Sequence, residues 1–365
     1  MSTNTGTKTG TNTGSAQSFS SIPEISLAQW TSRAADRAAF ADRMVSICHE
    51  VGFFYLTDHG VDDEFLDRYF GLIQAFFALP DHVKACIDKR KSPHFRGWER
   101  VGAELTDNRP DYREQLDVST EHPAYGVDTQ PQYLQLDGPN QWLDESVLPG
   151  FQDVVREFFA RMGVVADQLM AAISMGLGLQ PTHLRELFGQ RPLSFVKLMS
   201  YPPTPAGEAG VNPHHDAGFL TVLVQHEVGG LQAQSPDGAW IDVPPRPGTF
   251  VVNLGEMLQA MTGNYFVATT HRVIARQARL SSGYFHGPDL RTRLDPLSLH
   301  PRFAAAVAAS PRHAAAGFMA KREELIEGRR GIASTSAPVY GQQLWNYYLR
   351  SYPDNVRAHY PHVAD

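Results

Sequence analysis

The chain has 365 residues, with 32 Lys and Arg against 39 Asp and Glu for a formal net charge of −7, and 42% of it is hydrophobic. This is the composition of a globular protein. The acidic excess, with no Lys/Arg-rich run, argues against a nucleic-acid partner, which needs cations to neutralise phosphates. Two cysteines, Cys48 and Cys86, are too few for a disulfide framework or a thiolate cluster. A bound metal would therefore rest on imidazole and carboxylate, and 15 histidines are available.

Residues 1–21 are almost wholly Thr, Gly, Ser and Asn and predict a disordered tail. It lacks the apolar core of a secretory signal, and no later run approaches the ~18 consecutive apolar residues of a membrane span, so a soluble, cytoplasmic protein is expected. Order is predicted to begin with the extended Ile22-Pro23-Glu24-Ile25, followed by a helix over 27–51 carrying Phe40, Met44, Ile47 and Val51. Gly52 to Leu56 reads as a buried strand closed by the turn at Asp58-His59-Gly60, and 63–78 as a helix whose aromatic stripe is core, stopped by Pro80. Residues 92–117 mix Gly, Pro, Arg and aromatics as site-lining loops do. A long helix is predicted over 148–179. After Ser194 come short strands with Pro/Gly punctuation, FVKLMSY, FLTVLVQ, LQAQ, WIDVP and TFVVNL, which imply an antiparallel sandwich or barrel. Beyond Pro288 the pattern is helical again, through AAAV and MAKREELIEGRR to LWNYYLRSYP. Helices, a β core and helices form one domain over 22–365, with a helical and loop region to 190, a core over 191–290 and a helical end.

The strongest chemical signal is Asn212-Pro213-His214-His215-Asp216. In extended chain alternate side chains share a face, so His214 and Asp216 present an imidazole and a carboxylate together. A third ligand must come from another strand, and His271 in Thr269-Thr270-His271-Arg272-Val273 is the candidate. Two His and one carboxylate form the facial triad of non-haem Fe(II). His226 and His286 compete as ligands but read as structural histidines. Arg279 and Ser281, on one face of a segment read as the returning strand of a hairpin, offer a guanidinium and a hydroxyl suited to a carboxylate.

Taken in order, IPEISL, GFFYLTDHGV, FFALP, FRGW, the YPP at Tyr201, HHDAGFLTVLVQ, GGLQ, VVNLGEMLQAMTGN, THRV, RLS and YFHGP resemble the isopenicillin-N-synthase-like Fe(II)/2-oxoglutarate-dependent oxygenases over nearly all of 22–353. The resemblance implies a mainly β fold with flanking helices, a double-stranded β-helix or distorted jelly roll. It implies Fe(II) on His214, Asp216 and His271, with 2-oxoglutarate and O2 as co-substrates. Arg279 and Ser281 would hold the far carboxylate of 2-oxoglutarate, and Tyr201 would support it. The activity implied is a dioxygenase that hydroxylates or desaturates a small molecule while 2-oxoglutarate is oxidised to succinate and CO2. Three departures stand out: Met199 where the family often has Asn, Glu256 closing an Asn253-Leu254-Gly255 motif that usually ends in Asp, and a shortened loop between His271 and Arg279.

For the substrate, Arg96, Trp98, Tyr112, Arg113 and Lys197 are candidates, Lys197 sharing a strand face with Tyr201. Cations among aromatics suggest a carboxylate-bearing molecule such as an amino acid, a modified peptide or a natural-product intermediate, as in antibiotic biosynthesis. The competing reading pairs Arg96 and Arg113 with Glu99, Glu114 or Asp111 at the surface. Alternatives in function are a 2-oxoglutarate-independent oxidative cyclase, an ethylene- and succinate-forming type, and a non-catalytic binding module. A monomer acting without nucleic acid or membrane is expected.

Overall fold

The computed structural model describes residues 18–315 and 338–363. Residues 1–17 of the predicted tail over 1–21, and the run MAKREELIEGRR, lie outside the described residues. Residues 18–21 are tied down rather than disordered: Ser18 Oγ donates to Asp237 and lies 2.9 Å from Ser235 Oγ, and Phe19 N–H donates to Ser235 Oγ.

Strand β1 (Glu24–Ser26) runs parallel to β2 (Phe53–Thr57). Between them lies helix α1 (Ala34–Glu50), shorter than predicted because Leu27–Gln29 forms a separate 3-10 turn. Helix α2 (Asp63–Ala78) has the predicted bounds: Asp62 caps it by accepting the Phe65 N–H at 2.8 Å, and Pro80 follows its end. Its buried face, Phe65, Tyr69, Phe70, Ile73, Phe76 and Phe77, is the aromatic stripe of the sequence. Helix α3 (Phe151–Gly176) packs against α1 and α2. By length and composition alone it is apolar enough to cross a bilayer, and half of its most apolar stretch is buried inside this protein. Near the C-terminus, helix α4 (Tyr340–Ser351) lays Tyr340, Leu344, Trp345 and Tyr348 into the core, and a shorter helix, Pro353–His359, follows it.

The irregular segment 92–117 holds more strand than expected. It supplies β3 (Gly97–Glu99), the two-residue strands β4 (Leu105–Thr106) and β5 (Arg109–Pro110), and the start of β6 (Glu114–Ser119). The sequence disguised β6 because Gln115 and Asp117 are polar yet buried, so its inward face does not read as apolar. The remaining strands are β7 (Phe195–Tyr201), β8 (Val211–His214), β9 (Leu220–Gln225), β10 (Leu231–Gln234), β11 (Trp240–Asp242), β12 (Phe250–Leu254), β13 (His271–Val273) and β14 (Arg279–His286).

The large sheet has the order β1-β2-β12-β9-β14-β7-β6-β3 and the smaller one β11-β10-β13-β8, while β4 and β5 pair only with each other. Apart from β1 with β2, every pairing is antiparallel. The predicted hairpin joining His271 to Arg279 does not form: β13 pairs with β8 and β10, whereas β14 crosses to the large sheet between β7 and β9. This crossing gives the jelly roll two walls. Met199, Tyr201 and Val251 from one sheet and Val211, Leu231, Ala233 and Val273 from the other form a single buried cluster between them. The helices cover the outer face of the large sheet with a second, larger core.

Candidate active site

His214 ends β8, Asp216 follows in the turn to β9, and His271 opens β13 directly opposite His214 in the antiparallel register. One side-chain atom from each lies within 4.8 Å of the others, a group able to hold a metal ion. Nε2 of His214 and Nε2 of His271 each stand 3.6 Å from Asp216 Oδ1. The opposite ring nitrogens face backbone carbonyls, His214 Nδ1 at 2.8 Å from Asn212 O and His271 Nδ1 at 3.1 Å from Thr269 O. A carbonyl only accepts, so each Nδ1 carries a hydrogen, and in the neutral ring each Nε2 offers its lone pair inward.

Asp216 is held just as firmly. Its Oδ2 accepts from Thr221 Oγ1 at 2.5 Å and from Asn253 Nδ2 at 2.6 Å, which turns Oδ1 toward the imidazoles. Thr221 and Asn253 face each other in the β9–β12 register, so one cross-strand pair grips the carboxylate. The Asn-Leu-Gly-Glu motif has a second purpose. Gly255 N–H donates to Phe219 O, Glu256 N–H to Asp216 O at 2.8 Å and Met257 N–H to Gly218 O. A Cβ at position 255 would stand 2.2 Å from Gly218 O, so only glycine permits this approach.

Charge follows from this geometry. Burial alone would raise the Asp216 pKa, but the two histidines and the Thr221 hydrogen bond hold it well below the usual carboxylate range. Burial and the charge of His214 push His271 down to about 4. For His214, burial is outweighed by Asp216, and its pKa is raised. Burial pushes Glu256 up to about 8, opposed by Arg350 and reinforced by Asp216.

A cavity of about 420 Å³ opens onto His214 and Asp216. Its walls carry both signs of charge, Glu104, Asp107 and Glu256 against Arg113, Lys197 and Arg350, beside Phe195, Phe285 and Leu344. Of the predicted substrate residues, Lys197 and Arg113 line it; Arg96, Trp98 and Tyr112 are not among its described lining residues. Arg96 is buried and donates to His94 O and Leu136 O, both at 2.6 Å, so it ties two loops together. Trp98 donates to Glu114, and Tyr112 joins its backbone to Ala209.

Sequence reasoning missed Glu104, which organises the wall. Its Oε1 accepts from Lys197 at 2.6 Å, Tyr347 at 2.8 Å and Tyr352 at 2.9 Å, and its Oε2 from Arg113 at 2.6 Å. Lys197 and Arg113 are therefore already compensated by a buried carboxylate. Arg350, exposed at the cavity wall, makes no hydrogen bond or ion pair with the described residues, although its charge acts on Glu256.

Arg279 and Ser281 lie on β14 beside Tyr201 on β7, which faces Arg279 in the register. The Arg279 guanidinium sits 4.7 Å above the Tyr201 ring; Nη2 donates to Gln225 Oε1 at 3.0 Å and Nε to Val228 O at 3.4 Å. Arg279 Nη1 and Ser281 Oγ are buried with no partner among the described residues. Two orphaned donors in a buried cleft fit an incoming carboxylate. The two competing histidines lie outside the metal group: His226 packs on Phe70, and His286, which lines the cavity, lies between Phe188 and Asp167.

Two family descriptions match the chain, the N-terminal region of a non-haem dioxygenase in morphine synthesis over residues 22–145 and the 2OG-Fe(II) oxygenase superfamily over 191–288. The chain is 36% identical over 284 residues, 74% of this chain and 75% of the relative, to the 2-oxoglutarate-dependent dioxygenase frbJ of Dothideomycetidae sp. (strain 11243). It is 32% identical to the homoarginine-6-hydroxylase 2-ODD-C23 of Glycine max, across 78% of this chain and 91% of that one. The crystal structure of Neurospora crassa T7H with alpha-KG and thymine superposes with a TM-score of 0.66 at 25% identity, covering 76% of this chain and 88% of that one. The chain belongs to the 2OG-Fe(II) oxygenase superfamily and is an Fe(II)- and 2-oxoglutarate-dependent dioxygenase of small molecules.

Proposed function

We propose that His214, Asp216 and His271 hold the iron, that Arg279, Ser281 and Tyr201 receive the far carboxylate of 2-oxoglutarate, and that the substrate is an amino acid bound in the cavity beside His214. The observation that carries the assignment is the pair of orphaned donors, Arg279 Nη1 and Ser281 Oγ, which stand opposite Tyr201 and Met199 of a buried cluster that also holds Phe53, whose ring meets His271 edge-on at 5.5 Å. The iron supplies oxygen activation coupled to the decarboxylation of 2-oxoglutarate. The chain's own work is positional. Asn212 and Thr269 fix the imidazole tautomers, Thr221 and Asn253 fix the carboxylate, and buried Arg279 and Ser281 orient the co-substrate.

For the substrate, the mixed-sign wall suits a molecule carrying both charges, and a relative named for homoarginine hydroxylation supports the amino-acid class. Its carboxylate would meet Arg350, since Lys197 and Arg113 are engaged by Glu104. Amino acids, including arginine and homoarginine, should stimulate succinate release from 2-oxoglutarate, and Arg350→Gln should raise KM for the active one with little change in kcat. If neutral heterocycles stimulate turnover while the amino acids do not, the substrate assignment fails.

A further inference from the structure

We infer that Arg113 is a positioning residue for 2-oxoglutarate, acting through the Tyr201 hydroxyl. The two branches of its guanidinium meet very different surroundings. Nη2 donates to Glu104 at 2.6 Å and lies 3.3 Å from Asp111, so the charge is balanced on that side. Nη1 points the other way, 3.1 Å from Met199 Sδ and 3.5 Å from Tyr201 Oη, and Nε has no partner among the described residues. Arg113 is buried, and it is the residue that joins the substrate cavity to the Tyr201–Arg279 pair.

The donor and acceptor inventory gives this contact a direction. A guanidinium has five N–H donors and no acceptor, so between Arg113 and Tyr201 the phenol oxygen must accept. The single Tyr201 hydrogen is then directed away from Arg113, and the acceptor it meets is Met199 Sδ at 3.2 Å. A thioether accepts weakly. Met199 stands opposite Ser281 in the β7–β14 register. One buried region thus collects four donors: Tyr201 Oη and Arg113 Nη1, which meet only the sulfur and each other, and Arg279 Nη1 and Ser281 Oγ, which have no partner among the described residues. A carboxylate, with about four lone-pair sites, completes such a set. Arg113 orders the Tyr201 hydroxyl in advance of that carboxylate, so the phenol does not reorient on binding.

This inference rests on the assignment of Arg279, Ser281 and Tyr201 to 2-oxoglutarate, and one experiment separates the two. The purified full chain is loaded anaerobically with Fe(II) and titrated with 2-oxoglutarate, following the visible charge-transfer absorption of the chelate, for the wild type, Arg113→Gln, Tyr201→Phe and the double variant. Arg113→Gln is expected to weaken 2-oxoglutarate binding about tenfold with Fe(II) affinity unchanged, and to add less than about twofold once Tyr201 is Phe. Arg113→Gln combined with Glu104→Gln, which removes one charge of each sign and leaves Lys197 with Asp117 at 3.9 Å, should show the same loss. Equal losses in the Tyr and Phe backgrounds, or no loss in either, would overturn the inference. Binding that is insensitive to Arg279→Gln and Ser281→Ala as well would instead overturn the assignment on which it rests.

Discussion

Thr221→Val tests the reading of the metal centre most directly. The valine keeps the shape and burial of the side chain on β9 but removes the hydroxyl that donates to Asp216 Oδ2 at 2.5 Å. Hydrogen bonds to a charged group contribute about 1.5–3 kcal/mol each. Asn253 still donates at 2.6 Å, so Oδ2 keeps one partner of two, and the carboxylate gains freedom to rotate Oδ1 away from His214 and His271. At 1.4 kcal/mol per decade this is about a 10- to 100-fold weakening of Fe(II) binding, the range seen when groups supporting a metal ligand are removed. Asn253→Leu should fall in the same range. Because the two donors share one oxygen, the double variant should lose more than either single change. Anaerobic Fe(II) titration, with Mn(II) as an air-stable check, measures it. Single variants within twofold of the wild type, with their folds intact, would show that Asp216 is oriented by something other than this pair.

Three further outcomes follow from the charges. His271 is neutral above about pH 4, whereas the raised pKa of His214 keeps a proton on it above the ordinary imidazole value. Fe(II) affinity should therefore rise about tenfold per pH unit up to the His214 pKa and then level, releasing one proton; a two-proton slope, or none, refutes this. Glu104→Gln strips the compensating charge from buried Lys197 and Arg113 and should cost about 3–5 kcal/mol of stability by denaturant titration, much of it recovered by adding Lys197→Met. A loss under about 1 kcal/mol would mean that Asp111 and Asp117 suffice. Arg96→Met should destabilise the fold by about 2–4 kcal/mol by leaving the His94 and Leu136 carbonyls unpaired. It should leave Fe(II) and 2-oxoglutarate affinities alone, and a change in either would return Arg96 to the site.

What could be read from the sequence was what short spacing encodes. Arg279 and Ser281 are two residues apart on one strand, so alternation places them on one face; His214 and Asp216 have the same spacing and converge although Asp216 lies just past the end of β8. Helix α2 was legible to its ends because an Asp cap and a following proline write its boundaries into the chain. The departures come from long-range pairing. Strand β6 escaped notice because its inward Gln115 and Asp117 meet Glu99 and Lys89 rather than an apolar layer. The imagined hairpin after His271 failed because alternation says which way a side chain points but not which sheet its strand joins. Asn253 was visible as part of a motif, yet its purpose depends on Thr221 standing across from it in the next strand.

Glu104 is the clearest case, and it alters what the pocket can select. In the sequence Lys197 and Arg113 look like cations available to a substrate carboxylate. Their partner sits in an irregular loop, and the tyrosines completing its shell lie more than 240 residues further on. With Glu104 in place, a substrate anion approaching Lys197 would have to compete with a buried carboxylate at 2.6 Å that also accepts two phenol hydrogens. Displacing Glu104 would strand its charge among the same groups, a penalty of several kcal/mol that a small ligand cannot readily offset. Arg350 imposes no such penalty, because it has no described partner to give up and remains exposed. If the proposed substrate occupies this cavity, its selective charge lies on Arg350 of helix α4, while the Lys197–Glu104–Arg113 cluster is an internally compensated polar wall that reaches Tyr201 through Arg113.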